Sequence, residues 1–172
     1  YYYFDDKSDL YLHLFESLFT GFEPYYATVG AAKTRDEFWD NTIRSKFMAM
    51  ADHPQIAHLM RDFIMHRTEW AGSAALERVE TKMQAMFVTF LEMGKPLGAV
   101  REDLPMSLLS SLLWYMGYGM DMWVFPRDID MNEPFMQRLI TGAMALFRSL
   151  LEPGYVPPEG AFYVLKENEK KQ

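Results

Sequence analysis

The sequence predicts an all-α protein, a bundle of about six helices, on three observations. Apolar residues recur at spacings of three and four through each long segment, the period of an amphipathic helix. No segment sustains period-two alternation, and no Asn-Gly or Asp-Gly hairpin turn occurs. Proline and glycine cluster where one periodic segment gives way to the next.

Asp6 precedes the first pattern with Asp9 three residues on, a capping arrangement that offers acceptors to the free N–H groups of the first turn. Leu10, Leu14, Phe15, Leu18, Phe19 and Phe22 form its apolar face, and Gly21 and Pro24 close it. Thr34, with Glu37 three residues on, opens a second helix carrying Phe38, Trp39, Ile43, Phe47 and Met50. His53-Pro54 breaks it, because the residue before proline avoids the helical region while proline suits a first turn. A third helix runs through Ile56, Leu59, Met60 and Phe63 towards Trp70.

After Gly72-Ser73, Leu76, Val79, Met83, Met86, Phe87, Phe90 and Leu91 make one broad stripe on a helix of about six turns. Gly94, Pro96 and Gly98 end that pattern. The stretch Gly98 to Pro105 is expected to open the fifth helix, through Leu109, Leu112, Leu113, Met116, Met120 and Trp123 to Pro126. Asn132 caps the sixth, which carries Phe135, Leu139, Ile140, Ala143, Phe147 and Leu150 until Pro153-Gly154. A tail follows, with an apolar patch from Phe162 to Leu165 and a charged end.

With 172 residues, 49% of them hydrophobic, the chain is long enough for one substantial core. No apolar run approaches the length of a membrane span, so no membrane partner is expected. The absence of Cys removes disulfides and thiolate chemistry and, with no visible secretion leader, fits a cytoplasmic setting. A net charge of −7, with Lys7 the one Lys or Arg among the first thirty residues, repels phosphate backbones and favours a sensor or interaction domain.

Catalytic signatures are missing: no G-x-S-x-G, glycine-rich phosphate loop or H-E-x-x-H occurs, and neither an enzyme nor a cofactor is expected. His58, Asp62 and His66 stand four residues apart on one helix face, a spacing that could hold a divalent metal. A solvated or hydrogen-bonded helix pair is the commoner meaning of that spacing. The chain has 14 Met, 13 Phe, 10 Tyr and 4 Trp, and Met fills irregular space. Met83, Met86, Phe87, Phe90, Trp114, Met116 and Met120 form a soft, bulky set suited to a lipophilic or aromatic guest, with His66 and Trp70 as polar handles. Gly117 and Gly119, inside a helix where glycine costs about 1 kcal/mol each, point to close approach of another helix.

Two landmarks carry a family resemblance. Tyr1-Tyr2-Tyr3-Phe4-Asp5-Asp6-Lys7-Ser8-Asp9-Leu10 resembles the junction between the recognition helix and the sensor domain of TetR-type transcriptional repressors. Gly98-x-Val100-Arg101-x-Asp103-Leu104-Pro105 resembles the G-x-(aliphatic)-R-x-D stretch before their penultimate helix. A Tyr in place of an initiating Met reads as a chain whose upstream segment is missing. The resemblance covers roughly residues 1–152. It implies that 1–6 end a DNA-binding head, 7–152 bind ligand and dimerise, and 153–172 form a tail outside the match.

The resemblance further implies a repressor that releases operator DNA when a small apolar or aromatic effector binds. Tyr1, Tyr2, Tyr3 and Lys7 would touch the DNA backbone, positioning the protein without reading bases. Phe4 would pack beneath the recognition helix. The last two long helices would pair with a second subunit in a four-helix bundle, through Gly117, Leu139, Ala143 and Phe147. The alternative is a helical metal-binding or interaction module with no role in transcription.

Overall fold

A computed structural model describes residues 3–4, 7–21, 23–52, 58–59, 62–63, 65–124 and 133–162. Among the described residues the regular elements are all helical: α1 (Lys7–Gly21), α2 (Glu23–Gly30), α3 (Arg35–Asp52), α4 (Ala74–Gly94), α5 (Met106–Val124) and α6 (Glu133–Leu151). Between α3 and α4, residues 58–59, 62–63 and 65–66 are helical and lead into a 3-10 turn, Arg67–Trp70. The expected Asp6 and Asn132 caps, the His53-Pro54 break and the end of the tail lie outside the described residues.

Local signals place several boundaries. Thr34 accepts the Glu37 amide at 3.2 Å, capping one free donor of the first turn, while the Glu37 carboxylate reaches back to accept the Lys33 amide at 2.7 Å, just ahead of α3. Ser73 caps α4 by accepting from the Leu76 amide at 3.1 Å. Two expectations fail. Pro24 is the second residue of α2, not the end of helical structure, because proline has no amide to lose in a first turn. Gly98 to Pro105 does not open α5 but forms an irregular connection, and α5 begins at Met106.

That connection works as a clamp. Gly98 takes φ +64°, a left-handed value that glycine adopts without a Cβ clash, and the Ala99 amide then donates to the Gly94 carbonyl at 3.0 Å. The Trp39 indole donates to the Ala99 carbonyl at 3.2 Å, and Val100 is buried. The Arg101 amide donates to the Leu151 carbonyl at 2.7 Å, satisfying the last turn of α6, while its guanidinium forks onto Asp103 at 2.6 Å for each bond. At the same end, Arg148 joins Glu152 at 2.6 Å and Asp36 at 2.7 Å, tying the start of α3 to the end of α6.

The apolar interior divides into two clusters. The larger gathers Phe38, Trp39, Ile43 and Phe47 of α3, Phe90 and Leu91 of α4, Leu109 and Leu113 of α5, and Leu139, Ile140, Ala143 and Phe147 of α6. The smaller holds Leu12 and Phe15 of α1, Phe63, and Ala75, Leu76, Val79 and Met83 of α4. Phe15 and Phe63 stack within it at 4.3 Å. Of the expected α1 face, Phe15 is buried but Leu10 and Leu14 are exposed, with Leu12 buried in their place, and the side chains of Leu18, Phe19 and Phe22 lie outside the described residues. Asp9 with Arg78, and Glu16 with Lys82, hold that orientation from the rim.

Candidate functional site

A cavity of about 170 Å³ lies where the two clusters meet. Val29, Ile43, Phe90, Leu113 and Phe147 face it from the larger cluster, and Met83 from the smaller, with Phe87, Trp114 and Tyr118 packed beside it. Both clusters draw residues from α4 and α5. Their seam is where side chains of two packings fail to interlock, which leaves room.

Five helices shape the wall. Tyr26 comes from α2, Thr42, Ser45 and Lys46 from α3, Met86 from α4, and Gly117 and Asp121 from α5. Aromatic rings line one side in a chain: Phe87 to Trp114 at 6.0 Å, then Trp114 to Tyr118 at 6.2 Å. The Tyr26 hydroxyl meets the Met86 sulfur, and burial pushes its pKa up to about 12, so it stays a neutral hydroxyl. Thr42 turns its hydroxyl away, donating to the Phe38 carbonyl at 2.5 Å.

Two lining residues are charged, and they meet. Lys46 Nζ donates to Asp121 Oδ1 at 2.7 Å. The partners differ in exposure: the Lys46 side chain keeps 31% of its surface in solvent, the Asp121 side chain 8%. Burial raises the Asp121 pKa above the usual carboxylate range, with Lys46 pulling the other way.

Of the expected ligand-binding set, Met83, Met86, Phe87, Phe90 and Trp114 line the cavity. Met116 and Met120 pack in or against the larger cluster instead. His66 is half exposed, its Nδ1 2.9 Å from Glu69 Oε1, and Trp70 packs on Phe63 at 5.8 Å, so both stand behind the smaller cluster, away from the cavity. Three of the residues expected at the dimer interface face inward within the chain. Leu139, Ala143 and Phe147 are buried within the chain's own core, and Phe147 and Gly117 face the cavity. A Cβ on Gly117 or Gly119 would meet nothing within 4 Å, so no packing among the described residues explains either glycine.

Among the described residues, no three His, Asp or Glu side chains stand together as a metal site. His58 is exposed and His66 is engaged by Glu69, which leaves the His58, Asp62, His66 face without a joint focus. Tyr3 is exposed and the Phe4 ring lies 5.4 Å from that of His13; Tyr1, Tyr2 and the Lys7 side chain lie outside the described residues.

Sequence reasoning missed Tyr26, Lys46, Tyr118 and Asp121. A signal was present for two of them. Asp121 is the sole charge in the α5 sequence, one turn after Gly117, and Lys46 continues the buried series Trp39, Ile43 at helical spacing. No helix among the described residues is long and apolar enough to cross a membrane. No family model, characterised protein or solved structure matches the chain.

Proposed function

We propose that residues 7–152 are the effector-sensing and dimerisation domain of a TetR-type transcriptional regulator, with a small apolar or aromatic molecule as effector and operator DNA as target. The observation that carries this reading is the cavity at the seam of the two clusters, apolar over most of its wall and bordered by two charged groups. Its position supplies a mechanism. A guest there touches both clusters at once, so it biases how α4 and α5 sit between them. If the DNA-releasing arrangement binds the guest about 100-fold more tightly, the coupling is about 2.7 kcal/mol per site.

The dimer belongs on a different face from the one expected. Leu108, Leu112, Tyr115 and Gly119 form a stripe on α5 opposite its cavity-lining residues, and Leu108 and Tyr115 remain exposed. The chain's net charge of −7 disfavours contact of its own surface with phosphate. In the family that Tyr1–Leu10 resembles, the base-reading helices precede that segment.

The test is a thermal-shift and calorimetric titration with neutral single-ring aromatics, 3-phenylpropanol among them, on the chain and on Met86→Trp, which fills the space. Saturation at 100 times Kd should stabilise the parent by about 2.7 kcal/mol and leave the variant unchanged. The protein made from its whole reading frame should bind its own promoter at low salt and release it with the same ligand. Binding that is equal in parent and Met86→Trp refutes the site, and ligand-independent promoter binding refutes the regulatory coupling.

A further inference from the structure

Resting on the reading of the cavity as an effector site, we propose that its guest is a small monocationic aromatic amine, an arylalkylammonium whose charged end takes the place of Lys46 on Asp121. The pair is asymmetric, and that asymmetry selects the sign of the guest's charge. Asp121 has 8% of its side chain in solvent and Lys46 31%. Lys46 is the partner that can withdraw towards water, since its stem is flexible and about a third of its side chain is already in solvent. Asp121 cannot leave, and a buried carboxylate without a cation is strongly disfavoured.

An anionic guest would draw Lys46 towards itself and strand that carboxylate, or add a second negative charge beside it. A cationic guest exchanges with Lys46, so the cavity keeps one carboxylate and one cation throughout. The wall then adds aromatic surface that suits a cation, because Trp114 and Tyr118 line the cavity and precede Asp121 along α5 at successive helical turns. Size limits the rest of the molecule. A cavity of about 170 Å³ is close to the roughly 150 Å³ that accommodates one benzene ring. One ring among Met83, Met86, Phe87 and Phe90, on a short alkyl arm reaching Asp121, matches that space.

Three probes of one shape isolate the charge: 3-phenylpropylammonium, 3-phenylpropanol and 4-phenylbutanoate, titrated calorimetrically at neutral pH. The ammonium should bind about tenfold or more tightly than the alcohol and the carboxylate. Asp121→Asn should erase the preference for the ammonium over the alcohol, and Lys46→Met should strengthen ammonium binding by removing its resident competitor. Circular dichroism establishes that each variant is folded, and if Asp121→Asn is not, the direction of the Lys46→Met effect decides alone. Preference for the carboxylate, or equal binding of all three, overturns the inference while leaving the cavity as an effector site. Binding of none of the three overturns the effector site itself.

Discussion

Replacing Gly94 with alanine sets two well-measured effects against each other at one position. Gly94 ends α4 with φ −79° and ψ −24°, an ordinary helical conformation, so alanine meets no backbone strain there. Helix propensity alone favours the change by up to about 1 kcal/mol, less at a terminal turn. Sterics oppose it. The new Cβ would stand 2.7 Å from Phe38 Cζ, 2.7 Å from Val100 Cγ2 and 2.9 Å from Phe38 Cε1, where carbon contacts relax at about 3.5–4.0 Å.

Relief requires both neighbours to move by roughly 1 Å, and neither has anywhere to go. Phe38 is wholly buried, met edge-on by Trp39 at 5.2 Å and by the tilted ring of Phe90 at 5.0 Å, and Val100 is buried in the clamp. Overpacking of this kind costs about 1–3 kcal/mol, so the net expectation is a loss of about 1–2 kcal/mol, or a Tm lower by roughly 2–8 °C. Urea denaturation with an unchanged m-value is the assay. Gly117→Ala is the matched control: its Cβ meets nothing within 4 Å, so propensity should act unopposed and stabilise by up to about 1 kcal/mol. A Gly94→Ala protein as stable as the parent would refute the reasoning that the α4 end is closed against the clamp.

Two further outcomes are expected. Lys46→Met removes the cation beside Asp121, whose folded pKa is already raised by burial, so the folded state holds a proton that the unfolded chain releases, and stability falls as pH rises from the unfolded carboxylate value of about 4 through the folded pKa. Urea curves should place the variant within about 1 kcal/mol of the parent near pH 4 and about 3 kcal/mol below it near pH 8; an equal loss at both would deny the pairing. Tyr115→Asp, on the exposed stripe of α5, should leave monomer stability within about 0.5 kcal/mol yet shift a dimer to monomer in sedimentation at micromolar concentration. A parent that sediments as a monomer would remove the dimer face proposed here.

The helical class was legible because a helix is a local object. Its period shows in Leu76, Val79, Met83, Phe90 and Leu91, and its start shows in Thr34 with Glu37, where both partners lie within one turn. Four of the cavity's lining residues, Met83, Met86, Phe87 and Phe90, were legible for the same reason, since a soft stripe on one helix is visible within that helix. Tertiary context decided the remainder. Leu10 and Leu14 match the helical pattern as well as Leu12 does, yet only docking on α4 determined which side of α1 was buried. Leu139, Ala143 and Phe147 make an apolar stripe that pattern alone assigns equally well to a partner subunit or to the chain's own core. Lys46 and Asp121 are separated by 75 residues, and no periodicity relates them. Sequence alone determined which residues seek an apolar surface, because that is a property of each helix. Which surface they find, where two cores meet imperfectly and which charge is shut in beside the gap are settled by packing between helices far apart in the chain.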